Sequence, residues 1–360
     1  MKVDLEKNSY EIIITDTFSK LGTYLQETLR GSKICIVTEE AIAGYYLEQV
    51  RKEAEKAGFS VSICLIEGGE HHKNLQTVKK IYQILLEKSF DRKGAVIALG
   101  GGIVGDIAGF AAATYMRGID FVQVPTTLLA QVDSSVGGKV GVNFLDTKNI
   151  VGNFYQPRFV YINIKTLLTL TDSDYRSGLG EVVKYAVMYD KNFFKFLAEH
   201  TEQINGRDEA VLQNIIERCC LIKSEIVSQD ERENGIRAIL NLGHTFAHGF
   251  ESITDFAVPH GQCVALGTIC AGYLSNLLGK MRSGELNELI TLCEKLHFPD
   301  GIGYSDFNEL YRYMQSDKKS MNGKLRFIVP ESIGKVEIVD GITCEQVKLC
   351  CEKIRKGANA

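Results

Sequence analysis

The sequence predicts an α/β N-terminal domain built on a parallel sheet, followed by a mostly α-helical C-terminal domain. Three observations carry this. The first half alternates short β-branched runs with helical patterns, which implies parallel strands covered by helices on both faces. From about Asp172 the apolar residues recur at intervals of three and four, the period of amphipathic helices. The chain has 360 residues, more than one hydrophobic core usually serves. The boundary is placed at 170/171, giving domains 1–170 and 171–360, closely packed with the active site in the cleft between them.

In chain order, Lys33–Thr38 (KICIVT) reads as a buried strand, Ala41–Gly58 as a helix and Val61–Ile66 as a strand. Leu75–Glu87 places Val78, Ile81, Tyr82 and Leu85 on one helical face. Ala95–Leu99 (AVIAL) is a strand that runs into glycines, and Phe121–Val124 one that runs into Pro125, Thr126 and Thr127. Ligands of such sheets sit at the carboxyl ends of the strands, where the glycines, threonines and Asp106 fall. In the second half Glu209–Ser228, Gln262–Leu278 and Gly284–Leu296 read as helices. Leu325–Val329 and Gly334–Val339 read as a late pair of strands. No internal repeat and no low-complexity linker is visible.

Composition narrows the class. A net charge of -4 gives no reason to expect nucleic acid, so any bound anion must be held by a local basic cluster. The ten cysteines are scattered, mostly in apolar runs and never as CxxC, which argues for a reducing compartment. Packing is the default role for Cys344, Cys350 and Cys351. No secretory signal and no membrane-spanning stretch is read, so a cytoplasmic protein is expected.

Three segments can carry chemistry. Gly100–Asp106 (GGGIVGD) joins a strand to a helix. Glycines there admit a pyrophosphate and the helix N-terminus favours its charge, although the spacing is not G-x-G-x-x-G. Asp133–Lys139 (DSSVGGK), with Lys148 and Asn149, sets lysines beside glycines, suited to phosphate or carboxylate; a solvated loop is the plainer alternative. His244 and His248 lie one helical turn apart, with His260 downstream and Glu181 upstream, a donor set suited to Zn²⁺. Spacing alone would make His248 a ligand. The charged run Asp230–Arg237 and Lys223, read alone, are solvated surface.

Taken together, these segments resemble the 3-dehydroquinate synthase family. The match runs from about Gly68 to Gly334. It includes Gly105-Asp106, Pro125–Leu129, Asp133–Lys139, Lys148-Asn149, Ser177-Gly178 with Glu181 and Lys184, and Arg237-x-x-Leu-Asn-x-Gly-His-Thr-x-x-His.

The resemblance implies a Rossmann-like NAD-binding domain and a divalent metal, Zn²⁺ or Co²⁺, held by Glu181, His244 and His260. His248 is moved from the metal to the substrate phosphate. Cofactor contacts are implied for Glu70, Lys73, Gly102, Ile103, Val104, Gly105, Asp106, Thr126, Thr127, Lys139, Lys148, Thr166, Leu167, Leu168 and Thr169. Lys139, Asn149, Asn241, His248 and one of Lys318 and Lys319 match positions around the phosphate, and Lys223 and Arg237 the carboxylate end. This overrides the surface reading of the last two. Lys184 and Asp133 join the catalytic set. Arg117 matches an arginine that reaches a neighbouring subunit's site, so a homodimer is implied.

The implied reaction converts 3-deoxy-D-arabino-heptulosonate 7-phosphate to 3-dehydroquinate and phosphate. It is a carbon–oxygen lyase step on the shikimate route to aromatic amino acids, with transient NAD oxidation, phosphate elimination, reduction and aldol closure. Two positions depart from the pattern. His72 stands where an aromatic residue is usual, and Asn163 where Asp is common. The rivals are another cyclase, such as a 2-deoxy-scyllo-inosose synthase, and a metal-dependent polyol dehydrogenase. Arg237 and Lys223 favour a carboxylate-bearing substrate over the first.

Overall fold

Uninterrupted apolar strands need cover on both faces, and the first half of the chain provides it. A computed structural model describes residues 1–145, 147–316 and 325–356. The described chain divides into two compact units, residues 1–169 with 223–232 and residues 170–222 with 233–360.

The first unit is a seven-stranded sheet. Its strands are β1 (Lys2–Val3), β2 (Tyr10–Thr15), β3 (Lys33–Glu39), β4 (Ser60–Ile66), β5 (Ala95–Gly100) and β6 (Asp120–Pro125), then β9 (Phe159–Asn163) after a separate hairpin of β7 (Lys139–Phe144) and β8 (Thr147–Phe154). The order is β1-β2-β9-β6-β5-β3-β4, parallel except for the edge pair β1/β2. Alternation along each strand serves two cores. Cys35, Val37, Val96 and Ala98 meet the helices Leu75–Glu87 and Gly102–Thr114, while Ile34, Ile36, Ala95, Ile97 and Leu99 meet Leu21, Leu25, Val50 and Ala54. From β3 the chain steps outward to β4, then returns to β5 on the other side. The carboxyl ends of β3 and β5 therefore flank a reversal of strand order, where open α/β sheets bind ligands.

Lys139 and Lys148, read beside the loop alternative, fall on strands: β7 and β8 pair antiparallel as a hairpin. It packs on the Gly102–Thr114 helix at Gly109, where an added Cβ would lie 2.4 Å from Val140 Cγ1.

In the second unit the main helices are Asp172–Tyr189, the start of Glu209–Gln229, His244–Ile253, His260–Leu277 and Ser283–Lys295. The late strands pair antiparallel as Phe327–Ser332 with Lys335–Val339. Cys350 and Cys351 are buried in the Cys344–Glu352 helix, and Cys344 is exposed. Among the described residues no helix is long and apolar enough to cross a membrane.

Candidate active site

Glu181 stands mid-helix in Asp172–Tyr189, and His260 opens the helix His260–Leu277 behind Pro259. The two helices meet at paired glycines beside these residues. A Cβ on Gly180 would lie 1.8 Å from Gly261 O, and one on Gly261 1.7 Å from Ser177 O. Only backbone can occupy that crossing. The third helix is brought in the same way, since a Cβ on Gly267 would lie 2.2 Å from Gly243 O, next to His244. Gly243 has φ 79°, which lets the chain turn sharply into His244–Ile253.

These close approaches bring three donors together. One ligand atom each from Glu181, His244 and His260 lies within 4.8 Å of the others. Glu181 Oε1 is 3.7 Å from His244 Nε2 and 3.3 Å from His260 Nε2. The far side of each ring is also engaged: His244 Nδ1 lies 3.2 Å from Leu242 O and His260 Nδ1 3.3 Å from Glu251 Oε2. An acceptor on Nδ1 retains the proton there and leaves the Nε2 lone pair for a metal. Burial holds the His244 imidazole down at about 3, so it is neutral. Burial also pulls His260 down, but hydrogen bonds to Glu181 and Glu251 outweigh it and lift the ring to about 10. Two carboxylates flank His260, which favours positive charge at this point, and one carboxylate with two imidazoles fits Zn²⁺ or Co²⁺.

Lys184 and His248 lie beside this group. Lys184 Nζ is 2.5 Å from Glu181 Oε2, and both residues are almost fully buried. His248 lies outside the group of three, with its ring centroid 5.6 Å from that of His244 and 6.3 Å from that of His260. Asn241 Nδ2 donates to Glu233 Oε1 at 2.7 Å. Arg237 is only 1% exposed, so the charged run that reads as surface ends inside the protein.

The first unit carries the other predicted residues, with the Gly102–Asp106 segment directly after β5. The Gly102–Thr114 helix starts there, and the N–H groups of Gly102, Ile103 and Val104 have no partner within it. Lys73 Nζ bonds Asp106 Oδ2 and Asn149 Oδ1, each at 2.5 Å. Burial raises the Asp106 carboxyl against the pull of Lys73. Asn143 links Glu70 Oε1 at 2.8 Å to the Asn149 N–H at 2.9 Å, tying the Glu70–Lys73 turn to the hairpin. Lys139 and Lys148 are exposed on that hairpin. Thr126 follows β6, with its N–H on Gly100 O at 2.9 Å, and Thr127 Oγ1 accepts from Ala130 N at 3.2 Å. Thr166 and Leu167 are buried and Leu168 is exposed. Thr169 Oγ1 donates to Thr166 O at 3.0 Å. Lys223 Nζ donates to Asp133 through its carboxylate at 2.8 Å and its carbonyl at 2.7 Å. Arg117 is exposed in a left-handed turn, φ 68°. His72 Nδ1 lies 3.3 Å from Glu67 Oε2. Lys318 and Lys319 lie outside the described residues.

Three residues were missed by sequence reasoning. Glu251 follows His244 by two helical turns, a spacing that could have exposed it. Gln131 has no sequence signal; its buried amide donates to Pro125 O, Asn163 O and Thr166 Oγ1, pinning the ends of β6 and β9. Glu39, at the end of β3, lies so close to Gly68 that a Cβ there would be 2.1 Å from its Oε2.

Residues 63–177 match the family model for the 3-dehydroquinate synthase N-terminal region, and residues 178–320 the model for its C-terminal region. A 3-dehydroquinate synthase of Acetivibrio thermocellus is 44% identical over 93% of this chain and 94% of its own. The chain belongs to the 3-dehydroquinate synthase family. Solved structures agree on the fold of this family member. A 2-deoxy-scyllo-inosose synthase complexed with carbaglucose-6-phosphate, NAD+ and Co2+ superposes with a TM-score of 0.90 at 23% identity, covering 98% of this chain and 99% of the other. A 2-epi-5-epi-valiolone synthase from Streptomyces hygroscopicus with NAD+ and Zn2+ bound gives 0.89 at 24% identity, covering 98% of both chains.

Proposed function

We propose that this chain is a 3-dehydroquinate synthase, converting 3-deoxy-D-arabino-heptulosonate 7-phosphate to 3-dehydroquinate and phosphate in the cytoplasm, with NAD and a divalent metal as cofactors. The observation that carries the reading is the convergence of Glu181, His244 and His260 in a member of this family.

Glu181, His244 and His260 would hold the ion. Glu70, Lys73, the Gly102–Asp106 segment, Thr126, Thr127, Lys139, Lys148 and the stretch 166–169 would hold the dinucleotide. When bound, NAD supplies a reversible hydride acceptor and the ion a Lewis acid that acidifies a substrate hydroxyl. The residues of the chain bind and orient. Lys139, Asn149, Asn241 and His248 take the phosphate end; Arg237 and Lys223 take the carboxylate, with Asp133 positioning Lys223. Lys184, in its ion pair with Glu181, stands as a fixed cation beside the ion's carboxylate ligand. Buried guanidinium and ammonium groups suit an anionic substrate because their desolvation is offset when it binds. Acceleration then comes mainly from orientation and preorganised charge. Arg117 would serve the site of a second copy, making the working unit a homodimer.

Arg237 and Lys223 distinguish this reading from that of a cyclase acting on glucose 6-phosphate, which has no carboxylate. The test is product formation from each substrate. The heptulosonate phosphate should be consumed, with Arg237→Ala costing about 100-fold or more in kcat/KM. Turnover of glucose 6-phosphate in its place would reject the assignment.

A further inference from the structure

We propose that Glu251 is a positioning residue of the metal centre: its carboxylate fixes the His260 ring with the proton on Nδ1 and the lone pair on Nε2 aimed at the ion. The inference rests on the reading of Glu181, His244 and His260 as metal ligands.

Glu251 is buried in the last turn of His244–Ile253. The C-terminal end of a helix carries partial negative charge, and a buried carboxylate pays for desolvation as well. His260 offsets both costs. Its Nδ1 is 3.3 Å from Glu251 Oε2, while its Nε2 is 3.3 Å from Glu181 Oε1, so the ring is held between two carboxylates. A neutral imidazole has one N–H. With that N–H given to Glu251, the opposite nitrogen is left as the ligand. His244 is oriented by a backbone carbonyl, which no side-chain replacement can remove. Glu251 thus supplies by side chain for one ligand what Leu242 supplies by backbone for the other. It also ties the end of one helix to the start of the next across the 254–259 turn.

The test is Zn²⁺ affinity of the full-length protein, measured by competition with a chromogenic chelator, for the wild type, Glu251→Gln, Glu251→Asp and Glu251→Ala. The Ala variant should bind about 10–100-fold more weakly. Asp retains the charge but is too short to reach His260, and should resemble Ala. Gln still offers an oxygen to Nδ1–H and should lose less, about tenfold at most. The visible spectrum of bound Co²⁺ should change in Ala and Asp but stay near wild type in Gln, a readout that a purely structural role would not order in this way. Should Ala not fold, Gln and Asp carry the comparison. Equal affinity and unchanged spectra in all variants, with the wild type binding metal, would overturn this inference and leave the three-ligand centre standing. A wild type that binds no Zn²⁺ would overturn both.

Discussion

Lys73 joins three segments of the first unit. Its ammonium is buried and bonded to Asp106 and Asn149, which fixes the turn after β4 to the start of the Gly102–Thr114 helix. Lys73→Met should destabilise the protein by about 3 kcal/mol, because it leaves the Asp106 charge buried without its partner. The loss depends on pH. Burial already raises Asp106 in the folded state, so the folded form holds a proton more readily than the unfolded form. Stability from this group therefore falls as pH rises through its folded value. Without Lys73 the carboxyl rises further, and urea denaturation should show a larger deficit at pH 8 than at pH 5. A deficit that grows towards acid would contradict the pairing. At this scale the sequence was informative where chemistry is local. Strand, glycines and helix in Ala95–Asp106 are contiguous, so that arrangement is legible there. Glu181 has no such neighbourhood. It is far from His244 in the chain, and only the family resemblance selects it over His248. Glu251 carries no sequence mark beyond its spacing from His244.

At the scale of elements, Glu181, His244 and His260 converge because helices touch through glycine. Gly180 and Gly261 bring Asp172–Tyr189 and His260–Leu277 into backbone contact, and their chain neighbours are Glu181 and His260. Gly261→Ala should force the helices apart, costing about 1–3 kcal/mol and weakening Zn²⁺ binding although no ligand is changed. Thermal melts with and without Zn²⁺ would show both effects. A normal Zn²⁺-induced shift in that variant would mean the crossing does not set the ligand geometry. The sequence shows these glycines but not what they approach. In the same way, Tyr10–Thr15 and Phe159–Asn163 are short runs that periodicity leaves unassigned. They become strands β2 and β9 by pairing with each other across most of the first unit. The Lys139–Phe154 hairpin escaped for a related reason, since its glycines and lysines look like a loop until β7 packs on the Gly102–Thr114 helix.

For the whole molecule, the proposal requires a second copy. Arg117 is exposed beyond the Gly102–Thr114 helix, in a turn where Met116, Arg117 and Gly118 all have positive φ. Such strain in consecutive residues persists where the surroundings hold it. If Arg117 serves the partner's site, Arg117→Ala and His244→Ala should each be inactive alone. Mixed and re-equilibrated, they should recover about a quarter of wild-type activity, because half of the dimers then carry one intact site. No recovery, with mixed dimers present, would place Arg117 outside the partner's site.

The most direct test of the assignment is phosphate release from 3-deoxy-D-arabino-heptulosonate 7-phosphate with NAD well below substrate, before and after chelation. A 3-dehydroquinate synthase should release many phosphates per NAD with no lasting NADH absorbance, lose turnover on chelation and regain it with Zn²⁺ or Co²⁺. NADH rising in step with substrate while no phosphate appears, or turnover untouched by chelation, would contradict it.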